Sequence, residues 1–440
     1  MLRRKPCIYL LILWMILSLA TSCQKNVPYE VVLLPTKTPS PTASEVIGVV
    51  PTVENEIQEH VSDHNEPVSE SKEIDDGAET DNDKTTVIPS ATPELTPSPS
   101  PIQMTVPSED MHYLVKRESK EVKALFSFVY DAVIQHCEKI ELPKGTSKDQ
   151  IEKVMWLLVN DCPELFWFSH ISEYTYTEAE PNIILDVTAK YILSKEDAAK
   201  ASQKIDALID QWIQKTEGKS DYSKELYVHN ALLDGCRYTN DSGNDATIYG
   251  ALIRGKARCQ GYANAMCYAL RRMGIDCVVI TGTATNAQGT EKHAWNLMKI
   301  DGTWTLTDPT WNDPIGRDIK QYAYFNITDE MMGRNHTADS IYSRYDLPNS
   351  TSLKQNYCVR NDVYWEDGKD VSDGIIGWAE GHLNGEGKDV ICFETNEQYS
   401  QAMTVLAECL QKAVDRTGKL PDGGKFAYIT EPDLNYLQFE

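Results

Sequence analysis

Between residues 255 and 310 the chain writes out a helix, a strand and a hairpin, and this run constrains the fold more than any other. Gly255-Lys-Ala-Arg-Cys259 leads into residues 260–273, where Ala263, Met266, Cys267 and Leu270 recur at helical spacing. Gly274 is a natural stop, and Arg271 and Arg272 suit the negative end of the helix dipole. Cys259 therefore stands at a predicted helix N-terminus. Free amides and the positive dipole end there favour a negative sulfur and can hold a developing oxyanion. A strand over 276–282 follows, then the polar loop Asn286-Ala-Gln-Gly-Thr290. Residues 294–300 and 303–307 flank Asp301-Gly302, a favoured two-residue hairpin turn. That turn sets the register. Asp308 falls opposite Trp295 and His293 opposite Thr310, so His293 and Asp308 are diagonal neighbours on one side of the ribbon. Such Cβ atoms lie ~7 Å apart or less, within reach of an imidazole–carboxylate hydrogen bond.

Taken singly, each residue has an ordinary reading: a buried structural thiol, a surface imidazole, an aspartate capping the turn before Pro309. Taken together, a thiol at a helix start with an imidazole and a carboxylate held side by side forms a nucleophile, its base and the base's orienter.

At these residues the chain resembles the transglutaminase-like superfamily, relatives of papain-like cysteine proteases. Cys259-Gln-Gly-Tyr-Ala is similar to its Cys-x-Gly-Tyr-Ala motif. His293-Ala-Trp-Asn and Trp304-Thr-Leu-Thr-Asp308-Pro-Thr-Trp are similar to its His-Ala-Trp-Asn and Trp-x-x-x-Asp-x-Thr-Trp motifs. The likeness is specific over 245–315 and weaker over 220–245. It implies an α+β, papain-like core, with the Cys-bearing helix packed on an antiparallel sheet carrying His and Asp. It also implies a triad of Cys259, His293 and Asp308. The chain departs from the pattern at Thr305-Leu306-Thr307, where relatives often carry an aromatic and a Val or Leu. Relatives often use an upstream Trp or Gln side chain in the oxyanion hole; here Gln260 and Tyr249 are the candidates.

The N-terminus reads as an export signal over 1–22. Arg3, Arg4 and Lys5 precede an apolar run from Ile8 to Leu19, and Ala20-Thr21-Ser22 precede Cys23. The run is shorter than the ~20 residues of a membrane span. Small residues before a cysteine resemble a bacterial lipoprotein signal. That implies lipidation of Cys23 and a membrane-anchored protein on the outer side of the cell. Residues 23–110 are expected to be a disordered tether. Residues 24–110 hold 12 of the 21 prolines, one aromatic residue, and 17 acidic against 4 basic residues. The folded part is acidic too, which argues against a nucleic-acid partner.

The remainder divides into an N-terminal α+β domain over 111–217, the core over 218–335 and a C-terminal α/β region over 336–440. Apolar spacing predicts helices over 118–137, 151–158 and 195–215, the last capped by Ser194, and strands over 183–193. Another helix is expected over 222–233. The polar loop 239–245 lacks the alternation of a calcium loop and reads as a solvated turn. Trp156, Trp167 and Phe168 read as core or interface. Near the end, 390–394, a helix with Tyr399, Met403, Leu406 and Leu410, and 425–429 spell strand, helix, strand. No cysteines stand in a C-x-x-C spacing. Cys267, Cys277, Cys392 and Cys409 lie in apolar segments and read as buried free thiols, with no metal site implied.

The function these readings support is acyl transfer at amide bonds of a protein or peptide substrate, without a cofactor. Water is favoured over an amine as acceptor, because amine transfer needs a site that excludes water. The other class is a surface-binding module that keeps the fold without turnover.

Overall fold

The computed structural model describes residues 2–6, 29–33 and 111–440, apart from 241, 242, 315, 318 and 388. Cys23, most of the export signal and nearly all of the tether lie outside these residues.

Residues 2–6 form β1. The first helix, α1 (Lys120–Ile134), is capped by Ser119 and buries Val122, Leu125, Phe126, Val129 and Val133. Strand β3 (Lys139–Glu141) precedes α2 (Lys148–Asn160), which opens on a capping box made by Ser147 and Gln150. Strands β4 (Phe168–Thr177) and β5 (Ile184–Tyr191) lie side by side in a sheet of order β1-β4-β5-β3. Helix α3 (Lys195–Lys215) is capped by Ser194 as its sequence predicts, and α4 (Asp221–Gly235) follows.

The central run then appears as expected. Helix α5 spans Cys259–Arg272, β8 spans Cys277–Asn286, β9 spans Gly289–Ile300 and β10 spans Thr303–Thr307. (Strands β6 and β7, Arg237–Tyr238 and Lys256–Ala257, form a short parallel pair before α5.) Thr303 pairs with Ile300 and Thr307 with Asn296, the register set by the turn. Asp301 and Gly302 both have positive φ, 45° and 81°, as a type I′ turn demands. The polar loop after β8 is tighter than expected, for Asn286 already pairs with Gly289. After the short helix α6 (Asp329–Met332), strand β11 (His336–Ala338) completes a sheet of order β10-β9-β8-β11.

Two expectations about organisation need correction. Residues 111–217 and the core share one hydrophobic interior rather than two. Asp161, after α2, is buried and accepts from Leu114 N at 2.7 Å, Val115 N at 3.0 Å and Arg271 Nη2 at 2.6 Å. Arg271 thus completes a buried ion pair, while Arg272 pairs with Asp206 and Asp210 of α3. The two arginines stitch α5 to the preceding helices as well as ending it. The second correction concerns the start of the tether. Tyr29–Leu33 form strand β2, antiparallel to β14 (Lys425–Glu431), and the Tyr428 hydroxyl donates to Glu30 at 2.6 Å. Val-Val-Leu in this segment suits a strand better than a solvated linker.

The C-terminal region has its own core, between α8 (Val371–Asn384), α9 (Asn396–Thr417) and a sheet of order β12-β13-β15-β14-β2, in which β12 is Tyr364–Trp365. Strands β13 (Val390–Phe393) and β14 flank the final strand β15 (Tyr436–Phe439), which inserts between the two predicted strands. Cys392 is not a free thiol. It forms a disulfide with Cys358 of the short helix α7 (Tyr357–Arg360). Cys267, Cys277 and Cys409 are free and buried, as their apolar setting predicts. Trp167 and Phe168 are core residues, and Trp156 stacks on Tyr345. No helix among the described residues is long and apolar enough to cross a membrane.

Candidate active site

Cys259 is the first residue of α5 and is buried. Its neighbours explain the local motif. Arg258 N donates to Asp245 O at 3.0 Å, and the Arg258 guanidinium pairs with the Asp245 carboxylate at 3.2 Å. Asp245 is 3% exposed, so the end of the polar loop is a clamp on the helix start rather than a solvated turn. A Cβ at Gly261 would lie 2.4 Å from Asp245 O and 2.7 Å from Ala257 Cβ, which is why glycine stands there. The Tyr262 hydroxyl donates to Asp313 Oδ2 at 2.5 Å.

Helix α5 is fastened to β9 by Asn296, whose Nδ2 donates to Ala263 O at 2.9 Å. On the same strand His293 is 3% exposed, and its Nε2 donates to Asp308 Oδ2 at 2.7 Å. Asp308 is fully buried just beyond β10. Its Oδ1 accepts from Thr310 N at 2.9 Å and Trp311 N at 3.2 Å. Burial alone would push this carboxyl up. His293 and His336, by charge and hydrogen bond, hold it well below the usual carboxylate range. Asp308 is therefore ionised at neutral pH, and its position matches the diagonal placement derived from the turn.

Thr307, part of the departure from the family pattern, has a structural use. Its hydroxyl lies 3.2 Å from the fully buried Glu225 and accepts from Asn326 N at 3.0 Å. Asn326 Nδ2 donates to the same carboxyl at 2.7 Å. Burial is the largest influence on Glu225 and pushes it up to about 8 against the opposing hydrogen bonds, so it is protonated at pH 7; in that form it donates to the Thr307 hydroxyl, which turns to Asn326 Oδ1 at 3.4 Å.

Of the two oxyanion candidates, Gln260 lies in the first turn of α5 beside Cys259, whereas the Tyr249 ring stacks on Phe166 at 5.9 Å. Sequence reasoning missed His336. This buried histidine approaches Asp308 Oδ2 to 3.2 Å through its Nε2, and its ring centroid lies 5.3 Å from that of His293. It is 28 residues beyond Asp308, and no motif or local period points to it.

Among the described residues two clusters bring metal-ligand atoms within 4.8 Å: His293, Asp308 and His336, and His112, Cys162 and Glu164. Two ligands on one tetrahedral zinc, each ~2.0–2.1 Å from it, sit about 3.3 Å apart. The His293–Asp308 distance of 2.7 Å and the His112–Glu164 distance of 2.6 Å are instead hydrogen-bond distances.

Residues 210–309 match the family model for the core of the transglutaminase-like superfamily, a span that contains all three expected triad positions. These residues form a transglutaminase-like core. The curated relatives include the kyphoscoliosis peptidases of Mus musculus, 34% identical over 68 residues, and Homo sapiens, 33% identical over 68. Each match covers 14% of this chain and 10% of the relative, so the likeness is confined to a small part of both. Among solved structures, "a Putative Cysteine Protease from Cytophaga hutchinsonii" overlaps 32% of this chain and 58% of its own, with 18% identity and a TM-score of 0.22. A second, "a TGase", overlaps 57% of each chain, with 14% identity and a TM-score of 0.25. His336 lies outside the matched span, on a strand paired with β8.

Proposed function

We propose that the chain is a cysteine acyl-transfer enzyme acting on amide bonds of a protein or peptide substrate. The observation that carries this reading is the buried His293–Asp308 hydrogen bond of 2.7 Å, on the sheet to which the helix beginning at Cys259 is fastened. With Nε2 committed to Asp308, His293 has Nδ1 to take the thiol proton. The Cys259 sulfur then attacks the amide carbonyl, and the amides at the start of α5, with Gln260, steady the oxyanion. The imidazolium protonates the leaving amine, and Asp308 orients and balances it. The thioester passes to water, which gives protease-like hydrolysis. Lipidation of Cys23 would remove residues 1–22, and the edge strand β1 with them, and hold this chemistry at the outer face of a cell membrane.

A thiol-directed alkylating probe at neutral pH tests the reading. Rapid labelling of Cys259 that is lost in His293→Ala supports it. Labelling that is slow, or indifferent to His293, would leave a binding module on the same fold. A peptide-library screen with and without added amine then separates hydrolysis from transfer.

A further inference from the structure

We propose that His336 is a positioning residue of the same site: an imidazolium that donates Nε2–H to Asp308 and partly offsets the carboxylate's charge before His293 feels it. The inference rests on the triad reading above and follows from a chain of hydrogen bonds entering from the C-terminal region. Asp433 lies in the short turn between β14 and β15. Its carboxylate Oδ2 accepts from Asn335 Nδ2 at 3.0 Å, and the Tyr324 hydroxyl accepts from the same nitrogen at 2.8 Å. An acceptor-only carboxylate requires the amide nitrogen on its side, so the orientation of Asn335 is settled. Asn335 Oδ1 then faces His336 Nδ1 at 2.6 Å, and an amide oxygen accepts only, so Nδ1 carries a proton. The other ring nitrogen faces the ionised Asp308 at 3.2 Å. A bare nitrogen lone pair there would oppose the carboxylate, so Nε2 carries a proton as well. Both nitrogens protonated means a cation.

The surroundings agree. The groups facing the ring are Asp308 from the end of β10, His293 and Trp295 from β9, Trp311, Tyr324 and Asn335. The Trp295, Trp311 and Tyr324 ring centroids lie 5.0, 4.5 and 5.7 Å away. Burial pushes the Tyr324 hydroxyl well up, so it stays neutral. Asp308 brings its carboxylate within hydrogen-bond reach of the ring. Strand β8 brings the two histidines together, because Gly282 pairs with His293 and Ala284 with His336. At Gly282 a Cβ would meet the Trp295 ring at 2.8 Å, so the glycine lets that ring lie across the middle strand.

The consequence is electrostatic. His293 faces a carboxylate shared with a second cation, and a like charge stands close to its own ring. Its imidazolium is therefore less persistent than an unshared aspartate would make it. Removing the charge while keeping a donor should lengthen the pH range over which the imidazolium survives.

Two measurements on the full chain test this. In nitrogen-15 spectra of histidine-labelled protein, the His336 ring, assigned through its backbone, should show two protonated nitrogens at neutral pH. A single protonated nitrogen overturns the proposal without any variant. The second measurement is the rate of Cys259 alkylation by iodoacetamide as a function of pH. In His336→Gln the basic limb, which reports loss of the His293 proton, should move up by about one to two pH units. An unmoved limb in a folded variant overturns the proposal. Alkylation of the unmodified protein that ignores His293 would instead sink the triad reading, and the spectra would still report the state of His336.

Discussion

Glu225 beneath the site makes a quantitative prediction. It is fully buried, and its oxygens lie 2.7 Å from Asn326 Nδ2 and 3.2 Å from the Thr307 hydroxyl. Its folded value, near 8, stands above an ordinary value of 4.5. The folded protein therefore holds the proton more tightly than the unfolded chain. The stabilisation from that proton is complete below about pH 4.5 and is lost as pH rises through about 8. Each unit across that window costs about 1.4 kcal/mol, so about 4 kcal/mol separates pH 5 from pH 8. Glu225→Gln has the shape of the protonated acid but no proton to lose. Its Oε1 can accept from Asn326, and its Nε2 can donate to Thr307, whose hydroxyl then turns to Asn326 Oδ1, 3.4 Å away. Urea unfolding of both proteins at pH 5, 6.5 and 8 reads the difference directly. The variant should gain on the wild type as pH rises, by about 2–4 kcal/mol in total, and match or exceed it at pH 8. A stability difference that stays constant across this range would refute the reasoning. So would a variant that loses more than about 2 kcal/mol at pH 8, since the hydrogen bonds would then outweigh the buried charge.

The triad predicts that Cys259→Ala and His293→Ala each abolish acyl-enzyme formation while circular dichroism stays native. Asp308→Asn should retain a residual rate, and the His293–Asp308 double change should cost little more than His293→Ala alone in single-turnover assays. Asp161→Ala should lose about 3–5 kcal/mol by chemical denaturation, because Arg271 is left buried without its partner. Gly261→Ala drives a Cβ into Asp245 O and should lose about 1–3 kcal/mol and slow Cys259 labelling together, since the same contact fixes the start of the helix. Lipidation predicts that Cys23→Ala shifts the mass of the mature protein and releases it from the membrane fraction; unchanged partition and mass would refute the anchor.

The placement of His293 beside Asp308 was legible because it needs only local rules. Asp301-Gly302 dictates a two-residue turn, the turn dictates the register, and the pleat puts two residues fifteen apart on one side of a ribbon. The same holds for Cys259 at the start of a helix whose apolar stripe runs from Ala263 to Leu270, and for the cap that Ser194 supplies to α3. What surrounds these residues was not legible. Asp161 meets Arg271 across 110 residues, Glu225 meets Asn326 across 101, and Asp433 meets Asn335 across 98. No periodicity links such pairs, because each is made by how whole elements stack. The local signal even misled at two places. A polar loop looks solvated until Arg258 folds onto Asp245, and Arg271 looks like a helix-end charge until α2 brings Asp161 to it. His336 is the sharpest case. Its strand is three residues long, and only the order β10-β9-β8-β11 carries it to the carboxylate that a two-residue turn had already set beside His293.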